Sequence, residues 1–247
     1  MSDLYIHHHL GLGDMIHCNG MVRAILESRG ANDRIFVFSK NCHKKSVDWM
    51  YRDELRISII GIDERKDEVK QVNARIFSGK GDDIEFLRIG HEFYDLTARL
   101  NPDRTDQWAC DMIFYKQINM PYEFRFTKCY WKRDLEEEKR VFRKLAPSSG
   151  GYVFVHDDPS RGFVVSESEV NTKLPIVRND ISELIFHMGM LLENATEIHV
   201  MESSIRCMIE HLDTERVKLV LHRFRGGPYY NENKKKWCGT SKSWRVV

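Results

Sequence analysis

Three short stretches carry the residue types from which a group-transfer site can be built. In Gly11-Leu12-Gly13-Asp14-Met15-Ile16-His17, His17 follows Asp14 by three positions, so the two share one helix face. A carboxylate with an imidazole beside it suits general-base removal of a proton from a hydroxyl. Asp14 suits equally the capping of the helix it opens, and the two roles coexist. The second stretch is His156-Asp157-Asp158-Pro159-Ser160-Arg161. The Arg161 guanidinium is a forked, permanently charged donor matched to phosphate oxygens, with His156, Asp158 and Ser160 in the same turn. That turn also fits a solvated loop in which Asp158 simply pairs with Arg161. The third stretch is Glu202-Ser203-Ser204. Two serines at a helix start offer hydroxyls and backbone N–H groups to an anion, and Glu202 can accept from ribose hydroxyls. Serine is also a favoured N-cap for no further reason.

The elements that must position these residues alternate along the chain. Apolar runs at 4–7, 34–38, 57–61 and 83–87 predict strands, and periodic stretches at 15–27, 46–51, 64–76 and 107–120 predict helices. Residues 122–133 read as an irregular connection, followed by a helix at 136–145 and a breaker, Ala146-Pro147-Ser148-Ser149-Gly150-Gly151. A second series follows, with strands at 152–155, 173–177, 197–201 and 217–221 and helices at 181–193 and 204–212. The 181–193 helix is predicted from a stripe of Ile181, Leu184, Ile185, Met188, Leu191 and Leu192, with Asp180 and Glu183 as a capping box. The fold class expected is α/β, with two Rossmann-like domains at 1–130 and 131–247 whose parallel sheets face each other across a cleft. A basic, aromatic tail from Lys234 to Trp244 is expected to pack back on the other half. Open sheets of this kind bind ligands at the C-terminal ends of their strands, where all three stretches fall.

Composition removes several classes. With a formal charge of +1, the chain has no global attraction to nucleic acid, and no apolar run approaches the roughly 20 residues of a membrane span. The N-terminus lacks the basic and apolar regions of a secretory signal, so a cytoplasmic location is expected. The six cysteines include no C-x-x-C pair, which argues against a zinc ribbon or redox dithiol. His7, His8 and His9 alternate in direction along a strand and cannot all point at one ion without a bend, so they are a weak metal signal and no metal site is expected. Ile16 stands where G-x-G-x-x-G has its third glycine, and Ser39-Lys40 stands where a ribose-binding acid belongs, which disfavours NAD. NADP stays open through Lys40, His43, Lys44 and Lys45.

In order and spacing, the chain resembles the sugar-nucleotide-dependent glycosyltransferases of the GT-B fold, in particular the heptosyltransferase-like and fucosyltransferase-like enzymes. The residues that carry the resemblance are the 11–17 stretch, Asp111-Met112-Ile113-Phe114-Tyr115 leading to Ile118-Asn119-Met120-Pro121, Val155 through Arg161, and Glu202-Ser203-Ser204. The Asp157-Asp158 pair beside a diphosphate departs from the pattern. The resemblance implies transfer of a sugar from a nucleoside-diphosphate donor to a glycan or other hydroxyl acceptor, without cofactor or required metal, in carbohydrate biosynthesis. It assigns catalysis to Asp14 and His17. Donor binding falls to Gly11, Gly13, His156, Asp158, Ser160, Arg161, Glu202, Ser203 and Ser204. Two other readings stay open: a non-catalytic nucleotide- or glycan-binding module, and an NADP-dependent oxidoreductase.

Overall fold

The computed structural model describes residues 2–78, 84–91, 110–224, 230–231, 236–237 and 239–247. Residues 79–83, 92–109 and 232–235, which include parts of the strand and helix expected at 83–87 and 107–120 and the Lys234-Lys235 pair, lie outside this set. The chain divides into two compact units, one built mainly from residues up to Lys132 and the other from Arg133 onward.

The first unit contains a four-stranded parallel sheet in the order β3-β2-β1-β4. The strands are β1 (Asp3–His7), β2 (Arg34–Lys40), β3 (Ile57–Ile62) and β4 (Ile84–Arg88). Connecting helices are α1 (Leu12–Glu27), α2 (Asn41–Tyr51) and α3 (Glu68–Phe77). Central strands of such a sheet are covered on both faces, which is why β1 and β2 read as unbroken apolar runs. Ile6, Ile35, Val37 and Phe38 are fully buried, and Tyr5 stacks on Phe36 at 4.8 Å between ring centroids. β1 to β2 to β3 runs one way across the sheet, and the α3 crossover then returns to β4 on the far side of β1. The topological switch point therefore lies between β1 and β4.

α1 begins at Leu12, so the glycine segment is a cap and first helical turn rather than an open loop. Gly11 is the N-cap, in extended conformation, and its carbonyl accepts from Met15 N at 2.9 Å. Further along α1, Gly20 permits a close approach: a Cβ there would lie 2.1 Å from the carbonyl oxygen of Phe124. Tyr115, on α4 (Cys110–Gln117), donates its hydroxyl to His17 O at 2.9 Å and accepts from Met21 N at 3.1 Å, fastening α4 to α1. A one-turn helix, α5 (Phe124–Thr127), interrupts the connection expected to be irregular. Its Arg125 is buried, paired with Asp111 at 2.6 Å and donating to Tyr122 Oη and to Gly239 O.

The second unit holds a five-stranded parallel sheet, β11-β8-β7-β5-β6. It opens with α6 (Leu135–Leu145), which has acids in its first turn and bases in its last, as the helix dipole favours. Then come β5 (Val153–His156), α7 (Glu167–Val170), β6 (Ile176–Arg178), α8 (Gly189–Glu193), β7 (Glu197–Met201), α9 (Ser204–Ile209) and β8 (Lys218–His222). Two-residue strands β9 (Tyr230–Asn231) and β10 (Lys236–Trp237) pair antiparallel with each other and group with the first unit. β11 (Trp244–Val246) closes the second sheet beside β8, in parallel. Here the switch point lies between β5 and β7.

The helix expected at 181–193 is the main departure. Asp180 accepts from Ser182 N and Oγ, at 2.9 and 2.6 Å, while Glu183 is drawn to Arg140 and Lys144 on α6. No capping box closes, Leu184 is extended, and Ile181 is 95% exposed instead of lying on a buried stripe. Helical turns begin only at Ile185, as a 3₁₀ segment that leads into α8.

Candidate functional site

Both switch points carry the residues singled out above. At the first, β1 ends in His7, and the chain turns through His8, His9 and Leu10 into the α1 cap. His8 is fully buried, with Nδ1 2.7 Å from the carbonyl oxygen of His9. Asp14 is half-buried in the first turn of α1 and folds back on the cap, because a Cβ on Gly11 would come within 2.8 Å of its Oδ2. The glycine is thus what lets the carboxylate sit over the helix start. Gly13 lies inside the first turn. His17 is only 7% exposed, so its ring belongs to the packed side of α1. Cys18 is buried beside them, and burial, reinforced by the Asp14 and Asp111 charges, pushes its thiol up into an unreactive form.

The three consecutive histidines do not converge. His7 Nε2 faces Glu68 Oε1 at 2.8 Å, His8 faces His9 O, and His9 Nε2 lies 2.8 Å from Gly90 O. His7 instead meets two residues distant in sequence: its ligand atom, one of Glu68 and one of His91 all lie within 4.8 Å of one another. Pattern reading missed this grouping because it draws on three separate elements.

At the second switch point, parallel pairing sets His156 opposite Val200, so the segments after β5 and β7 leave the sheet side by side. His156, Asp158, Ser160 and Arg161 thus lie at or just after the end of one of these paired strands, and Glu202, Ser203 and Ser204 just after the end of the other. Asp158 precedes a 3₁₀ turn (Pro159–Arg161) and accepts from Ser160 Oγ at 2.5 Å while pairing with Arg161 Nε at 3.1 Å. The hydroxyl and the guanidinium hold its carboxyl below the usual range. The Arg161 side chain is 59% exposed, and Asp158 meets it at Nε.

The two adjacent carboxylates are held differently, and Asp157 turns inward. It is buried, pairs with Arg178 and accepts from Val165 N, so its charge is neutralised inside the unit. Ser203 is the N-cap of α9, its Oγ accepting from Arg206 N at 3.4 Å. Glu202 Oε2 accepts from Phe224 N at 3.1 Å, and the Phe224 ring stacks on Phe163 at 5.3 Å. These contacts join the segments after β5, β7 and β8. The phenylalanine pair is an aromatic surface that no local motif announces. His156 is held neutral chiefly by burial, against a raising hydrogen bond from Asn179.

Of the cations that kept NADP open, Lys44 is engaged with Asp48 at 2.6 Å and Lys40 is the N-cap of α2. Cys18, Cys42, Cys110, Cys129 and Cys207 form no disulfide.

Two parallel sheets with polar residues at both switch points match a known architecture. The chain superposes on the crystal structure of the glycosyl transferase family 9 from Veillonella parvula DSM 2008 with a TM-score of 0.56 at 10% identity, covering 100% of this chain and 86% of that one. The fold is GT-B-like. E. coli ADP-heptose lps heptosyltransferase II aligns with a TM-score of 0.49 at 11% identity, over 100% of this chain and 90% of that one. E. coli heptosyltransferase WaaC with ADP-2-deoxy-2-fluoro heptose aligns at 0.44 and 11%, over 100% and 93%. No family model matches the sequence, and no curated protein matches it. Among the described residues no helix is long and apolar enough to cross a membrane.

Proposed function

We propose that this chain is a glycosyltransferase that moves a sugar from a nucleoside-diphosphate donor to an acceptor hydroxyl. The observation that carries the reading is the placement of Arg161, Ser160, Ser203 and Ser204 on adjoining segments at one switch point, in a fold shared with a family 9 glycosyl transferase. Residues 131–247 bind the donor and residues 1–130 serve the acceptor. The donor diphosphate meets Arg161, whose fork donates to two oxygens in parallel, together with the hydroxyls and backbone N–H groups of Ser203 and Ser204. α9 spans only Ser204–Ile209, so the guanidinium contributes more than the helix dipole. Glu202 accepts from the ribose, and His156, neutral at physiological pH, lines the site.

Binding must displace Asp158 from part of Arg161, and the exposed pair is weak enough for that exchange, worth about 0–1 kcal/mol. Charge developing on the departing diphosphate is stabilised by donors already in place, which need no rearrangement at the moment of reaction. Asp14 removes the proton from the acceptor hydroxyl as it attacks the anomeric carbon. His17, buried one turn on, positions the start of α1. The reaction is cytoplasmic and needs no cofactor.

A thermal-shift panel of UDP, GDP, ADP, CMP and NADP tests the donor assignment, since a ligand that binds only the folded state raises its midpoint by mass action. One nucleoside diphosphate should stabilise the protein, and its sugar conjugate should be turned over. Stabilisation by NADP alone would support the oxidoreductase. Stabilisation by a diphosphate without turnover of any conjugate would support the binding module.

A further inference from the structure

The grouping of His7, Glu68 and His91 is not used by the chemistry above. His7 is the last residue of β1 and is fully buried. His91 follows β4 at the neighbouring strand end, where Ile89 N donates to His7 O at 2.8 Å and continues the pairing past the last strand residue. Glu68 is the first residue of α3, the helix that returns across the sheet to β4. Three elements thus deliver two imidazoles and a carboxylate to the switch point of the first sheet. Their ligand atoms lie within 4.8 Å of one another. A tetrahedral Zn²⁺ with bonds of about 2.0–2.1 Å sets its ligand atoms about 3.4 Å apart, so small side-chain rotations suffice. The rings of His7 and His91 are 4.1 Å apart between centroids. His91 Nε2 and His7 Nδ1 are buried and have no hydrogen-bond partner among the described residues.

We propose that His7, Glu68 and His91 form a site for a divalent transition metal of the Zn²⁺ type, with a fourth position open to water or another oxygen ligand. Two nitrogens and one oxygen are a donor set that Zn²⁺ accepts with an open position. Glu68 supplies the anionic charge that offsets Arg88, which itself donates to Asn73 and lies over the Phe86 ring. Ser and Lys at the other strand end, β2, offer no such set. A bound ion ties β1, β4 and α3 together where the sheet opens. The proposal is independent of the glycosyltransferase reading.

The test uses the full chain in a Cys42→Ser, Cys110→Ser background, which removes two exposed thiols that bind metals on their own. After chelator treatment, Zn²⁺ is titrated in competition with a chromophoric chelator, and Co²⁺ uptake is followed by its visible d–d bands. The expected result is one ion per chain, tetrahedral Co²⁺ bands and a midpoint that rises with Zn²⁺. Glu68→Gln and His91→Ala should each weaken binding by at least about tenfold, because even outer-shell partners of a metal cost that much. Far-UV circular dichroism checks that both variants are folded. Should His91→Ala unfold, Glu68→Gln, at a partly exposed helix start, decides alone. Absence of uptake by the parent overturns the site, as does uptake that neither variant changes.

Discussion

At the end of β1 the polar residues are held by burial: His7 and His8 are inaccessible and kept neutral, and Asp14 sits over a helix start made possible by Gly11. At the ends of β5 and β7 they are held by ion pairs, Asp157 with Arg178 and Asp158 with Arg161, and by the hydrogen bond that Glu202 accepts from a backbone N–H. Desolvated imidazoles and a single carboxylate suit proton removal and metal ligation, because burial raises the cost of charge and leaves lone pairs available. Paired, partly exposed charges suit an ionic ligand, because one partner can be exchanged for another at small cost. The same edge of the same sheet architecture is thus solvated differently in the two units.

The difference can be broken first at the supports. In the second unit, Glu210 is buried and accepts from Thr240 Oγ1, Ser241 N and Oγ, and Trp244 Nε1, at 2.6 to 3.0 Å. This carboxylate fixes β11 to the sheet, so Glu210→Ala should destabilise that unit by about 3–5 kcal/mol in denaturant unfolding, as loss of one partner from a buried charged network does. In the first unit, Gly20→Ala drives a methyl against the Phe124 carbonyl. Overpacking of this kind costs about 1–3 kcal/mol and should appear in the first unit's transition.

Sharper tests act on the second edge. Arg161→Ala should weaken nucleoside-diphosphate binding about tenfold by calorimetry, the size of a lost charge-assisted hydrogen bond. Asp158→Asn should strengthen it by a smaller factor, by removing the competing carboxylate.

The smallest effect concerns acid. His199 Nδ1 lies 2.8 Å from His222 Nε2, and His199 Nε2 lies 2.9 Å from Glu197, all within the second unit. Burial depresses both imidazoles below the ordinary 6.5. A depressed value means that the unfolded chain takes up protons first as pH falls. The stability this pair contributes is complete above about 6.5 and is lost as pH drops from there through the folded-state values. His222→Phe should flatten that part of the pH–midpoint curve for the second unit.

How far the sequence discloses this molecule depends on whether a feature is local. β1, β2, β5, β7 and β8 are legible because an interior strand of a parallel sheet, covered on both faces, must be largely apolar. The Gly11–Asp14 and Asp158–Arg161 geometries are legible because each is made within one turn. The break at 181–184 is hidden, since it depends on Arg140 and Lys144 capturing Glu183 from another helix. β11 is hidden because three residues, only one of them buried, gain their place through Glu210. The His7–Glu68–His91 grouping is hidden for the same reason. Its one signal is a histidine ending a strand with a glutamate opening a later helix, too common a coincidence to single out unaided.

In the proposed reaction the first edge supplies the proton acceptor and the second holds the donor. The direct measurement is transfer and nucleotide affinity on Asp14→Asn with the donor identified by thermal shift. Loss of the general base should lower kcat by about 10²–10⁴-fold, while the nucleoside-diphosphate Kd stays within a factor of about two. Transfer at the parent rate, or a loss of affinity matching the loss of rate, would contradict it.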